Sequence, residues 1–169
     1  MLRSNHYDVA FEHYLRLRRV PYVAVDETRR TLLADASLKS MDFIVYSPAG
    51  PNLLIDVKGR RRARGRKWEN WASVEDIEAL LKWQEVFGSD FRSLLVFAYD
   101  STETGCPQPG CSTIEFQSRT YQFFGVWVNE YQNVMKLRSP SWQTVWLRRE
   151  DYQKSRFPLD QVFTDTSLA

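Results

Sequence analysis

The chain has 169 residues, of which 43% are hydrophobic and 26% are charged, and its formal net charge is +2. A chain of this length can bury one hydrophobic core, so we expect a single domain over residues 1–169, and the composition excludes a disordered or fibrous protein. No segment reaches the ~18 apolar residues of a membrane helix, and residues 1–12 lack the apolar run of a secretory signal, so we expect a soluble cytoplasmic protein.

The first third of the chain predicts one helix followed by three strands. Apolar residues at three-and-four spacing predict an amphipathic helix over residues 6–19. Short apolar runs then predict strands at 22–25, 41–47 and 52–58, the last two joined by a Pro/Gly-rich turn. Residues 26–40 predict no regular element beyond a turn or an extended hairpin arm.

A second helix and a buried strand follow. Ser73 and Asp76 have the spacing of a helix capping box, and Gly88 is placed to end that helix. Residues 93–99 form a continuous apolar run, which is typical of a strand buried on both faces of a sheet. The predicted core, about residues 6–100, therefore has the order αβββαβ.

Residues 101–169 predict additions to this core. Cys106 and Cys111 flank a Pro-Gln-Pro-Gly stretch, where they could close a small loop or supply half of a metal site. The predicted additions are a loop at 101–112, a strand at 121–128, a short helix at 131–136, a strand at 142–147, and a weakly periodic, frayed tail beyond Asp151.

The strand at 52–58 places an acid and a base on one face. Successive side chains of a strand alternate between faces, so Asp56 and Lys58 project from the same side. Asp42 opens the preceding strand, and hairpin pairing would bring it close to Asp56. A surface ion pair worth under ~1 kcal/mol is the simpler interpretation. However, Leu54, Ile55 and Val57 flank Asp56, and a buried carboxylate needs a cation or a metal.

Asp42 followed by Asp56-Val57-Lys58 resembles the motif of the PD-(D/E)XK nuclease superfamily. The αβββαβ order resembles the core of that family, and the resemblance is nearest to archaeal Holliday-junction resolvases and restriction-like enzymes. It implies an α/β, restriction-endonuclease-like fold with a mixed central sheet flanked by helices and extra C-terminal strands.

The resemblance also implies a function. We expect a Mg²⁺-dependent (or Mn²⁺-dependent) nuclease that hydrolyses phosphodiester bonds, with DNA as the expected substrate. Asp42 and Asp56 would be metal ligands, with the Val57 carbonyl as a third. The Lys58 ammonium would orient the attacking water or stabilise the charge of the transition state.

Two further residues are assigned from the same resemblance. Many members of the family add a Glu from the first helix, which makes Glu12 the expected additional catalytic residue and metal ligand. Asp8 lies one turn earlier on the same face and is the alternative. Gln84 resembles a glutamine that some branches direct toward the site. For each of these residues an ordinary exposed side chain is the competing interpretation.

A basic run follows Lys58 and is the candidate nucleic-acid-binding segment. Guanidinium groups at the mouth of the proposed site would bind phosphates on either side of the cleaved bond, although a charge run can also be a solvated loop. We expect Trp68, Trp71 and Trp83 to serve mainly in core packing rather than base stacking. The basic candidates are Arg60, Arg61, Arg62, Arg64, Arg66 and Lys67.

Two other functions compete with this interpretation. One is a non-catalytic nucleic-acid-binding domain that retains the nuclease fold, and the other is a basic protein-interaction module that uses the aromatic-rich C-terminal half. The sequence leaves open whether DNA or RNA is cut, whether cleavage is endo- or exonucleolytic, and whether two copies pair as a homodimer.

Overall fold

A computed structural model describes residues 5–26, 38–105 and 112–164. Its helices are α1 (His6–Leu17), α2 (Val74–Phe87), α3 (Val128–Val134), α4 (Arg149–Ser155) and α5 (Asp160–Phe163). Its strands are β1 (Tyr22–Ala24), β2 (Phe43–Val45), β3 (Asn52–Arg61), β4 (Ala72–Ser73), β5 (Phe91–Asp100), β6 (Ile114–Phe116), β7 (Arg119–Trp127), β8 (Lys136–Ser139), β9 (Thr144–Trp146) and β10 (Phe157–Pro158).

A mixed sheet forms the centre of the fold. Over the described ranges it has the order β1-β2-β3-β5-β7-β10, with β6 paired to β7. Strands β3 and β5 are parallel, and the other pairs are antiparallel. Helix α2 connects β3 to β5, as a parallel pair requires a crossover connection. The predicted αβββαβ order and the mixed sheet are confirmed, with the short β4 inserted before α2.

Helix α1 covers one face of this sheet. The Asn5 side chain caps its start by accepting a hydrogen bond from the Tyr7 N–H at 3.0 Å. The helix ends two residues earlier than predicted, because Arg19 adopts a left-handed backbone conformation with φ 54°. Leu17, which falls on the predicted apolar face, is 60% exposed, whereas Leu15 is buried against the sheet.

Helix α2 covers the opposite face. Its predicted capping box is confirmed: the Ser73 hydroxyl accepts from the Asp76 N–H at 3.0 Å, and the Asp76 carboxylate accepts from the Ser73 N–H at 3.2 Å. Ile77 and Leu80 pack onto Leu54 of β3. Because side chains alternate along β3, Asp56 and Lys58 lie on this α2 face, while Leu53 and Ile55 face α1.

The C-terminal part is more ordered than its sequence predicts. The tail beyond Asp151, predicted to fray, contains the end of α4, β10 and α5, because Tyr152 and Leu159 are buried and β10 pairs with β7. The predicted strand at 142–147 is the shorter β9, which forms a small sheet of order β4-β9-β8. Cys106 and Cys111, and most of the predicted hairpin arm at 26–40, lie outside the described residues.

None of the helices in the described ranges has the length and apolarity needed to cross a bilayer.

Candidate active site

Asp42 and Asp56 form a buried carboxyl pair where β2 meets β3. The Asp42 N–H donates to the Ile55 carbonyl at 2.9 Å, which holds Asp42 beside β3 immediately before β2 begins. Its Oδ2 accepts from the Val57 N–H at 2.8 Å, and its carboxyl group hydrogen-bonds to that of Asp56. Each residue is only 7% exposed. The expected convergence of the two acids is therefore present.

The proximity of these acids perturbs Asp42. Burial, then the charge of Asp56 and the hydrogen bond to it, and then the charge of Asp8 raise the pKa of Asp42 to about 9, against a smaller opposing effect of the Val57 N–H. Two like charges in a desolvated site favour retention of a proton between them. The pair therefore retains a proton at neutral pH in the absence of another cation.

Lys58 lies on the same face and bridges two acids. Its Nζ is 2.8 Å from Asp56 Oδ2 and 2.7 Å from Asp76 Oδ2. Burial would lower the pKa of Lys58, but the charges of Asp56 and Asp76 outweigh burial and raise it above its ordinary value. The amine therefore remains a protonated hydrogen-bond donor near neutral pH and is unsuited to act as a general base.

Asp76 is a site residue that the sequence analysis missed. Besides capping α2, it contacts the ammonium groups of Lys58 and Lys39 and is 4% exposed. Burial alone would raise its pKa, but the two lysines lower the pKa of Asp76 to about 2. Its capping role was visible in the sequence. The pairing with Lys58 depends on how α2 crosses β3, which no local pattern encodes.

The structure places Asp8 rather than Glu12 near the carboxyl pair. Glu12 Oε1 accepts hydrogen bonds from the Tyr22 hydroxyl at 2.8 Å and from Arg16 at 3.1 Å, so this carboxylate is used at the α1–β1 contact. The charge of Asp8 is among the main contributions that raise the pKa of Asp42. One helical turn separates the two residues, and the geometry favours the alternative assignment.

A close approach of α1 to β3 fixes the position of Asp8. The neighbouring Tyr7 ring lies over Gly59, where an added Cβ would stand 2.1 Å from a ring carbon. Gly59 directly follows Lys58 in β3, so the helix bearing Asp8 packs against the segment that carries the lysine. Only a residue without a Cβ allows this contact.

The assignment of Gln84 to the site is wrong. Its amide oxygen accepts from the Ser93 N–H at 2.8 Å, and its amide nitrogen donates to Asn129 at 3.2 Å. Gln84 lies eight residues after Asp76 on α2, about 12 Å along the helix axis. Its side chain connects the end of α2 to the start of β5.

Arg60 and Arg62 differ from the exposed loop residues that the sequence predicted. Arg60 belongs to β3, its side chain is 11% exposed, and its guanidinium stacks 4.0 Å from the Trp71 ring. Burial lowers the pKa of Arg60. The Arg62 guanidinium lies 3.5 Å over the Trp68 ring. Both arginines organise the tryptophan segment, so Arg60 in particular is wrongly predicted as a free phosphate contact.

The remaining basic residues lie at the surface. Arg61 pairs with Glu103 at 3.0 Å, and Arg64, Arg66 and Lys67, which we call the outer cations, are exposed. Arg66 and Lys67 line an open groove of about 1580 Å³. The carboxyl pair does not line this groove. Trp71 does line it and stacks on Arg60, which projects from the same face of β3 as Lys58.

The carboxyl pair offers oxygen donors of the kind that a divalent cation binds. Mg²⁺ and Mn²⁺ prefer carboxylate and carbonyl oxygens and retain several waters. Asp42 and Asp56 supply such oxygens, and the proton retained between them marks a place where positive charge is stabilising. Across the described ranges, no three His, Cys, Asp or Glu side chains converge as a metal cluster. The residues therefore fit a divalent cation that is held by two carboxylates, with main-chain carbonyl oxygen and water as its remaining ligands.

The fold is shared with a protein of solved structure. The chain resembles Hjc of Archaeoglobus fulgidus, a Holliday junction resolvase from an archaeal hyperthermophile, with a TM-score of 0.58 over 94% of this chain and 98% of that one. Sequence identity is 11%, so the similarity is one of fold. The predicted resolvase-like fold is confirmed. No protein-family model and no curated protein matches the chain.

Proposed function

We propose that this protein is a metal-dependent nuclease that hydrolyses phosphodiester bonds of DNA. The observation that carries the proposal is the buried Asp42–Asp56 pair, with Lys58 held against Asp56, in a sheet with the fold of a Holliday junction resolvase. A pair of buried acids destabilises a fold unless a cation neutralises it. A purely structural ion pair with Lys58 would need only one acid, so the second acid favours a site for a further cation.

Asp42 and Asp56 would hold Mg²⁺ or Mn²⁺, with the Val57 carbonyl as a further ligand, and the charge of Asp8 on α1 would add to the negative potential at the ion. When bound, the ion would polarise the phosphate and lower the pKa of a coordinated water. Asp42 would release the proton that it retains in the metal-free protein. The Asp42 N–H donates to the Ile55 carbonyl and its Oδ2 accepts from the Val57 N–H, and these two bonds hold the carboxylate beside β3.

Lys58 would act as an electrostatic and hydrogen-bonding group. Asp56 and Asp76 hold its ammonium beside the carboxyl pair and keep it protonated. A fixed positive donor at this position can bind a non-bridging phosphate oxygen and stabilise the charge that develops on it. Asp76 is then a positioning residue, because it holds Lys58 in place and is not itself a member of the Asp42–Asp56 pair.

The basic groove supports a nucleic-acid substrate. Arg66 and Lys67 would bind phosphates at the groove, and the strand would reach Lys58 past Arg60 and Trp71. DNA as the substrate, cytoplasmic location and pairing of two copies belong to this proposal. One observation favours the alternative of a non-catalytic nucleic-acid-binding domain: within the described chain, no three metal-ligating side chains converge.

A cleavage assay separates the two functions. We would incubate the full chain with end-labelled four-way junction, flap, nicked, single-stranded and duplex DNA in Mg²⁺, Mn²⁺ or EDTA. Cleavage with either metal but not in EDTA is expected, with loss of activity in Lys58→Ala and retention in the control Lys82→Ala, whose lysine is exposed on α2. Metal-independent binding without cleavage of any substrate would favour the non-catalytic domain.

A further inference from the structure

The β8–β9 hairpin exposes large apolar side chains at the protein surface. Trp142 is 80% exposed, Leu137 is 62% exposed and Trp146 is 37% exposed. Large apolar side chains are more stable out of water, so their exposure along one hairpin indicates a surface that another molecule can cover. Trp142 lies in the turn between β8 and β9, where its indole is most accessible.

This hairpin adjoins the proposed active site. The Gln143 carbonyl, next to Trp142, accepts from the N–H of Val74, the first residue of α2, at 2.9 Å. Asp76, two residues further along α2, holds Lys58. Strand β9 also pairs with β4, directly before the cap of α2. The hairpin tip and the lysine are therefore fixed to the same helix start.

Several cations lie in the groove that Leu137 and Trp146 line. Arg138, Arg148 and Arg149 line this groove together with Arg66 and Lys67. Among the residues that the structure describes, none of these five cations takes part in an ion pair. Cations without ion-pair partners beside exposed apolar and aromatic side chains complement a strand of phosphates and bases, because the cations bind phosphates and the rings stack on base faces.

We propose that the β8–β9 hairpin stacks on unpaired bases of the nucleic acid, with Trp142 as the main stacking residue. This inference rests on the proposed function and specifies its substrate: DNA with a single-stranded segment next to the bond that is cut. A duplex keeps its bases stacked inside, so an exposed indole gains little from it. Unpaired bases offer their faces, and the adjoining arginines bind the phosphates between them.

The test is binding of labelled oligonucleotides to the full chain in EDTA, measured by fluorescence anisotropy. The probes are a 15-nucleotide single strand and a blunt duplex of the same length. Trp142→Ala should weaken binding of the single strand by roughly tenfold and that of the duplex by less than about twofold. Trp142→Phe should restore most of the loss, because a phenyl ring also stacks.

Val86→Ala is the matched control, since Val86 is an exposed apolar residue at the far end of α2, and it should bind both probes like the wild type. Thermal melts would verify that Trp142→Ala folds. Unchanged single-strand binding by Trp142→Ala, or equal weakening for both probes, would overturn the proposal. A dimer that Trp142→Ala dissociates in sedimentation, with single-strand binding unchanged, would also overturn it and would assign the hairpin to self-association.

The binding test is independent of cleavage because no metal is present. A Trp142-dependent preference for single strands in a protein that cleaves nothing would support the hairpin assignment and remove the proposed nuclease. Metal-dependent cleavage with no role for Trp142 in binding would support the proposed nuclease and remove the hairpin assignment.

Discussion

In the metal-free protein, the wild type is expected to lose stability as the pH rises, and Asp42→Asn is expected to avoid that loss. The pKa of Asp42 is raised to about 9 in the folded state, against an ordinary value of 3.8. Between these values the folded chain holds a proton that the unfolded chain has lost. Stability from this group is therefore fully present below pH 3.8 and falls by about 1.4 kcal/mol per pH unit up to the folded pKa. From pH 5 to pH 8 the loss is about 4 kcal/mol.

Asparagine reproduces the protonated carboxyl group. Its amide oxygen can accept from the Val57 N–H, and its NH₂ can donate to Asp56 as the retained proton does. The variant should therefore lack the pH-dependent loss of about 4 kcal/mol, which corresponds to roughly 8–16 °C in melting temperature for a domain of this size.

The assay is thermal or urea unfolding in EDTA at pH 5 and pH 8, with the exposed acid variant Asp90→Asn as control. Comparing variants at each pH removes the contribution of all other titrating groups. Mg²⁺ or Mn²⁺ should then stabilise the wild type at pH 8, by about 2.7 kcal/mol at 100 times the dissociation constant, and Asp42→Asn much less. Parallel pH profiles and equal metal responses in wild type and Asp42→Asn would refute the reasoning.

Three further predictions follow from neighbouring contacts. Asp76→Asn should lower the free energy of unfolding by about 2 kcal/mol at pH 7, whereas the wild type would lose this stability only as the pH falls from 3.8 toward 2. The same variant should lower the pKa of Lys58 and so shift the alkaline limit of cleavage to lower pH. Gly59→Ala should destabilise the fold by roughly 1–3 kcal/mol in urea titrations, because its Cβ would overlap Tyr7, and a wild-type midpoint would contradict this contact. Arg60→Ala should lower the melting temperature, whereas alanines at the outer cations should leave it unchanged and flatten the salt dependence of DNA binding. A flattened salt dependence in Arg60→Ala with no change in melting temperature would contradict the structural role of Arg60.

The core elements were predictable because each has a local signal. The alternation of Leu54, Asp56 and Lys58 along an apolar strand indicated their shared face, and the short turn before β3 indicated the hairpin that brings Asp42 to Asp56. The capping box at Ser73 marked the start of α2. These features depend on residues that are near in sequence.

The errors concern contacts between distant segments. Glu12 and Asp8 share a helix face, and only the docking of Tyr7 over Gly59 distinguishes which acid reaches Asp42. Arg60 reads as one member of a charge run, yet Trp71, eleven residues later, stacks on it and removes it from solvent. The regular structure of α4, β10 and α5 likewise depends on tertiary burial and on the pairing of β10 with β7, and the weak local periodicity of this segment does not reveal either.

Single-turnover cleavage of a labelled DNA substrate in Mg²⁺ tests the central claim most directly, namely that the Asp42–Asp56 pair holds a catalytic metal. Purified Asp56→Asn that melts cooperatively should cleave at least ~100-fold more slowly than wild type, because it lacks a charged metal ligand. The control Asp90→Asn should cleave at the wild-type rate. Cleavage by folded Asp56→Asn at the rate of the wild type would contradict the account.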